Sequence, residues 1–198
     1  MLMHFTRGTA AALLLAAGTA VSTAAYAGWT LDADASRLSF ISTKNVDKAE
    51  VHYFRELSGV VTDDGEARVD VPLDSVETAI QIRNTRMREF LFETGDYPTL
   101  VVSAAVDPAV LEATGHRTQD VELTVSMHGS SKRYAVPLTV VHAGDGSLAV
   151  STLEPLVVDA ADFDLGGGIA KLQELAGLAS ISTAVPVSVQ LVFRADDG

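Results

Sequence analysis

The run Val121-Glu122-Leu123-Thr124-Val125-Ser126-Met127-His128 decides how the chain is read. Val121, Leu123, Val125 and Met127 alternate with Glu122, Thr124, Ser126 and His128. A period of two puts the apolar set on one face of a β-strand and the polar set on the other. Gly129 to Lys132 is the expected turn into a second run, Tyr134 to Val140. Working outward, the same pattern recurs. Towards the C-terminus, Gly144-Asp145-Gly146 turns the chain into Leu148–Leu153, and Val185, Val187, Val189, Leu191 and Phe193 share a face of the last strand. Towards the N-terminus, Leu100, Val102, Ala104 and Val106 alternate, as do Ala67, Val69, Val71 and Leu73 after an Asp-Gly turn at residues 63–66. Pro72 lies on the opposite face of that strand, which favours an edge or bulged position. Gly59, inside the run to Val61, marks a bulge or a close backbone approach. Leu38, Phe40 and Ser42 share a face of the first long strand. About eight short strands with no βαβ rhythm predict an all-β fold, an antiparallel barrel or sandwich.

Two helices interrupt this pattern. Leu73 to Val106 carries Arg83, Arg86 and Arg88, the densest run of arginine in the chain. Asn84 or Thr85 is a plausible N-cap, and Met87, Phe90 and Leu91 at i, i+3 and i+4 form a face that packs down. The arginines have two readings. They pair with the nearby acids Glu77, Glu89, Glu93 and Asp96, or at least one points at the mouth of the barrel and meets a ligand headgroup. Ile169, Leu172, Leu175, Ala176 and Leu178 predict a second helix, ended near Gly177. Pro108 to Ala113 reads as a single helical turn.

Residues 1–27 read as a signal peptide, with Arg7 in its n-region, an apolar stretch over Ala10–Ala17, and Ala25-Tyr26-Ala27 before the cleavage point. Export to a bacterial periplasm follows as an expectation, with residues 28–198 as one domain. The apolar stretch is short for a span of ~20 residues, so stable membrane insertion is not expected. The whole chain carries a formal charge of −12, which becomes −13 once Arg7 is cleaved away. Such a surface repels nucleic acid. The chain has no cysteine, which excludes disulfides, thiolate metal sites and a lipid-modified cysteine. Whether the protein forms a homodimer is open at this point.

The search for catalytic chemistry returns little. There is no Gly-x-Ser-x-Gly elbow, Walker loop or Rossmann glycine fingerprint. His52, His116, His128 and His142 are scattered, and Asp159, Asp162 and Asp164 before three glycines match no EF-hand spacing. No catalytic residue, metal or cofactor site is assigned, and the chain is read as a non-enzyme. Medium-sized interior residues with few large aromatics favour a cavity in a barrel of about eight strands. By alternation its wall is Leu38, Phe40, Val71, Leu73, Leu100, Val102, Leu123, Val125, Met127, Leu138, Val187 and Val189.

Several motifs, taken in order, resemble the YceI-like family. They are Trp29-Thr30-Leu31-Asp32 with Ser36-Arg37-Leu38-Ser39-Phe40, Leu57-Ser58-Gly59-Val60-Val61, and Leu123-Thr124-Val125-Ser126-Met127-His128-Gly129. The most telling run is Ser75-Val76-Glu77-Thr78, then Arg86, Phe92 and Tyr97-Pro98-Thr99, and Asp162-Phe163-Asp164-Leu165 follows late in the chain. The sequence departs from the family at Lys44, at His52-Tyr53-Phe54, at Gly129-Ser130-Ser131-Lys132 and in a longer stretch from Gly166 to Leu178. The resemblance implies a lipocalin-like antiparallel barrel that binds, sequesters or transports a long isoprenoid or similar amphipathic lipid, such as a quinone. Arg86, Phe90 and Phe92 would stand at the mouth, near the headgroup. The alternative is a periplasmic stress-response or interaction protein whose barrel is filled by its own side chains.

Overall fold

The computed structural model describes residues 28–112 and 114–196; the expected signal peptide lies outside the described residues. The strands are β1 (Gly28–Leu31), β2 (Arg37–Lys44), β3 (Lys48–Phe54), β4 (Ser58–Thr62), β5 (Glu66–Pro72), β6 (Val76–Glu77), β7 (Thr99–Ala105), β8 (Gly115–Met127), β9 (Ser130–His142), β10 (Leu148–Thr152), β11 (Leu156–Asp159) and β12 (Ala184–Ala195). They form one antiparallel barrel of eight tracks, because four tracks are pairs of short strands separated by a turn. The long β12 shows how this works. Along one edge it pairs with β1 at Leu31↔Phe193 and with β2 at Leu38↔Val189. Along the other it pairs with β10 at Leu148↔Phe193 and with β11 at Leu156↔Val187. Likewise β4 bonds to β5 and β3 to β6. The ring closes on β12, so the wall keeps no long unpaired edge.

The breaks have local causes. Pro72 has no N–H to continue the ladder and is the last residue of β5. Leu73–Ser75 then winds into a 3-10 turn, fixed by the Ser75 hydroxyl donating to the Pro72 carbonyl at 2.6 Å. At Gly59 a side chain would stand 2.7 Å from the Arg68 carbonyl, so the close approach expected there is present. The β8–β9 turn lies earlier than the expected residues 129–132. His128 and Gly129 both have positive φ (51° and 75°), a two-residue hairpin turn of the I′ kind, and β9 begins at Ser130.

The helices differ from expectation in an instructive way. Helix α1 (Gln81–Arg86) starts after Ile80, without a side-chain cap, and Asn84 is buried within it rather than capping it. The chain continues into a π-helical turn, Met87–Leu91, in which the Phe92 N–H reaches back five residues to the Met87 carbonyl at 2.9 Å. That extra residue per turn shifts the facing positions. Met87 and Phe92 are buried and Leu91 half-buried against the core, while Phe90 rotates out of the set that α-helical spacing would give. A short α2 (Pro108–Glu112) follows β7, and α3 (Gly166–Ala176) ends at Gly177 in the left-handed conformation.

Helix α3 lies directly on the π-turn. A β-carbon at Gly168 would meet the Phe90 carbonyl at 2.4 Å and the Leu91 Cα at 2.7 Å, whereas one at Gly167 would meet nothing within 4 Å. Gly168→Val should therefore push the two helices apart, costing about 1–3 kcal/mol and lowering Tm by several degrees. Gly167→Ala should be neutral or slightly stabilising. Thermal melts of the two variants check this; equal melting points would show that the helices do not depend on the close approach.

Candidate ligand-binding cavity

Inside the barrel is a cavity of about 570 Å³. Alternation turns Phe40, Val102, Val125, Leu138, Val150 and Val189, each from a different strand, onto its wall. Phe40, Phe54 and Phe92 follow one another along one side, their rings tilted by 34° and 48° with centroids 5.5 and 5.9 Å apart. The cavity reaches the surface beside α1, where Ile80 and Ile82 line it while remaining 45% and 58% exposed.

Of the wall residues expected from alternation, Leu38, Phe40, Leu100, Val102, Leu123, Val125, Met127, Leu138, Val187 and Val189 lie on the cavity. Val71 and Leu73 do not. Both are completely buried in the core; Leu73 opens the 3-10 turn, which Arg88 holds by donating from its Nε to the Asp74 carbonyl at 2.6 Å. Of the expected mouth residues, Arg86 and Phe92 line the cavity, and Phe90 is turned away by the π-turn. The reading by faces missed Val136 and Val140, which share an inner face with Leu138, and Ile169 and Leu172 of α3. Continuing the parity of β9 past Leu138 would have found the first two.

The arginines mostly leave their sequence neighbours alone. Arg83 donates to Glu50, 33 positions away, at 2.7 Å and to the Thr78 carbonyl at 2.7 Å. Arg86 donates to the Leu175 carbonyl at 3.2 Å, satisfying an orphan acceptor in the last turn of α3. Glu77 instead pairs with Arg55 at 3.1 Å and accepts from the Asn84 amide. The Asn84 carbonyl in turn accepts from the Thr78 N–H at 2.9 Å and hydroxyl at 2.6 Å. This network fixes α1 against the barrel rim.

The acidic loop before α3 is structural. Asp159 accepts from the Ala161 N–H, and Asp162 pairs with Lys132 at 2.8 Å. Asp162 also accepts from Tyr134, whose hydroxyl pKa burial and this negative neighbour push up to about 12. Among the described residues no three His, Asp or Glu side chains converge where a metal ion could be held, and no helix is long and apolar enough to cross a membrane.

His52 is 2% exposed and sits on the cavity wall with its Nε2 2.8 Å from the Ser42 hydroxyl. Burial, reinforced by the nearby Arg83, pulls its pKa from 6.5 down to about 4. Folding therefore favours the neutral ring. Below about pH 6.5 the unfolded chain binds a proton that the native state refuses until near pH 4, so stability falls as pH drops through this window. Between pH 7 and pH 5 the loss should be on the order of 2 kcal/mol. Urea unfolding at the two pH values, compared with His52→Asn, isolates the contribution; an equal pH slope in both proteins would assign it elsewhere.

The family model described as a YceI-like domain matches residues 29–193. No curated protein matches the chain. Among solved structures, a polyisoprenoid binding domain from Saccharophagus degradans, implicated in plant cell wall breakdown, is 39% identical with a TM-score of 0.83, over 86% of this chain and 99% of that one. BcnA of Burkholderia cenocepacia shares the fold at 19% identity and a TM-score of 0.66, over 82% of this chain and 98% of its own. A Campylobacter jejuni YCEI protein does so at 16% and 0.52, over 74% and 85%. A closed barrel around an apolar cavity, a family match over nearly all the described residues and a relative of 39% identity agree: the chain belongs to the YceI-like family.

Proposed function

We propose that the protein is a non-enzymatic carrier that holds a polyisoprenoid lipid, with an isoprenoid quinone as one candidate, in its barrel and sequesters or transports it in the periplasm. One observation carries this reading: an apolar cavity of about 570 Å³ inside a closed barrel, open beside α1. That volume lies in the range of small-molecule sites. Burial of the tail stabilises the complex by about 25 cal/mol per Å² of apolar surface. The relative of 39% identity, a polyisoprenoid binding domain, supports the ligand class. The open volume counts against a barrel filled by its own side chains. Export rests on the signal-peptide pattern of residues 1–27.

The test is extraction from vesicles loaded with an isoprenoid quinone. The proposal expects quinone to co-elute with the protein on gel filtration, approaching one molecule per chain at saturation. If quinone and a polyprenol both stay with the vesicles at excess protein, the proposal fails.

A further inference from the structure

The charge on the cavity wall opposes the charge of the protein. The chain has 26 acidic and 14 basic residues, yet Lys44, Arg68, Arg83 and Arg86 line the cavity and, among the described residues, no aspartate or glutamate does. Arg68 is committed to Asp70 on the barrel's outer side and Arg86 to α3. Lys44 and Arg83 are different. They converge on one carboxylate, Glu50, at 2.6 and 2.7 Å, so the three groups together keep one net positive charge. One inward position further along β3 stands His52, and opposite Glu50 on β2 stands Ser42. Two hydrogen-bonding atoms of this group are buried with no partner among the described residues: the His52 Nδ1 and the Arg83 Nε. A buried polar atom left unpaired carries a desolvation cost, so such atoms mark places where a partner is to be received.

We propose that Ser42, Lys44, His52 and Arg83 form a headgroup subsite just inside the mouth, which receives an oxygen acceptor carrying full or partial negative charge at the end of the apolar tail. This rests on the reading of the barrel as a lipid carrier. The subsite is coherent chemically. The Ser42 hydroxyl can donate to the His52 Nε2, which leaves the Nδ1–H of a neutral imidazole as a donor. The Arg83 Nε–H is a second donor, and the excess charge of the cluster is stronger here than in water because the surroundings are apolar. Ile80 and Ile82 beside it cover the first carbons of the tail. A phosphoryl oxygen and a quinone carbonyl oxygen both satisfy these donors.

Three probes with matched tails separate the possibilities: a prenyl monophosphate, an isoprenoid quinone and squalene, which has no headgroup. Unmodified protein should bind at least one oxygen-bearing probe about ten- to a hundredfold more tightly than squalene. Preference for the phosphate identifies a charged headgroup and preference for the quinone a polarised carbonyl. His52→Leu and Arg83→Met should each erase most of that preference, bringing the oxygen-bearing probe to within a fewfold of squalene measured in the same variant. Because Arg83 also holds the Thr78 carbonyl, a second measurement uses the unmodified chain: in 15N-histidine-labelled protein, the preferred probe should shift the His52 ring signals and squalene should not. Squalene bound as tightly as both other probes, or a preference that survives both substitutions, overturns the subsite. So does an unmoved His52 signal. If no probe binds, squalene included, it is the carrier reading itself that fails.

Discussion

Val102→Trp combined with Val189→Trp should abolish lipid binding while leaving the barrel folded. Val102 is on β7 and Val189 on β12, tracks that stand four apart in either direction around the ring, so the two indoles enter the cavity from opposite walls. A buried methylene contributes about 0.8 kcal/mol, so excluding one five-carbon isoprene unit removes about 4 kcal/mol of gross stabilisation, more than a hundredfold in affinity. Both positions are only partly buried, so the larger side chains fill open space rather than displacing packed neighbours. Val51→Trp, on the outer face of β3 at a residue 70% exposed, is the matching control and should bind as the unmodified chain does. Titration with an isoprenoid quinone, next to a thermal melt, checks all three. Undiminished binding by the double variant would place the ligand outside the barrel.

A large loss of stability is expected from Asn84→Ala. The side chain is 1% exposed and its carbonyl takes both the N–H and the hydroxyl of the buried Thr78. Removing it leaves both donors without that acceptor and frees Glu77 from the Asn84 amide. The cost should be about 2–4 kcal/mol, since each buried donor carries a penalty of about 1–3 kcal/mol. For a domain of this size that lowers Tm by about 5–15 °C. Asn84→Asp keeps the acceptor but sets a second carboxylate against Glu77 in place of the amide donor, so it should also be destabilising near neutral pH. Urea unfolding measures the difference, and a loss below 1 kcal/mol for Asn84→Ala would mean that the network does not anchor α1.

The Asn84 network also shows where the sequence stops being legible. Alternation in Val121–Met127 and its counterparts identified the inward faces, because a half-buried sheet imposes a period of two on its residues. The eight-track barrel follows from those faces together with the short turns. Alternation reports which way a side chain points and nothing about what lies beyond it. Val71 and Leu73 are buried in the core as read, yet neither lines the cavity. The π-turn was invisible for a related reason: Met87, Phe90 and Leu91 fit α-helical spacing, and one additional residue in the turn replaces Phe90 with Phe92. The pairing of Arg83 with Glu50 spans 33 residues and depends on how β3 approaches α1, so neighbouring acids were the natural but wrong partners. His52 and Ser42 carry no motif at all. Their importance appears only once the strand pairing sets them side by side on a mostly apolar wall.

The most direct test of the barrel as a lipid carrier is native mass spectrometry on protein taken from its own cells with mild handling and no delipidating step. The account predicts a second species, heavier than the apo chain by the mass of one isoprenoid lipid, which disappears on solvent extraction and returns when the lipid is added back. Protein that emerges only as the apo species, and that also refuses an added polyprenol and an added isoprenoid quinone, would contradict it.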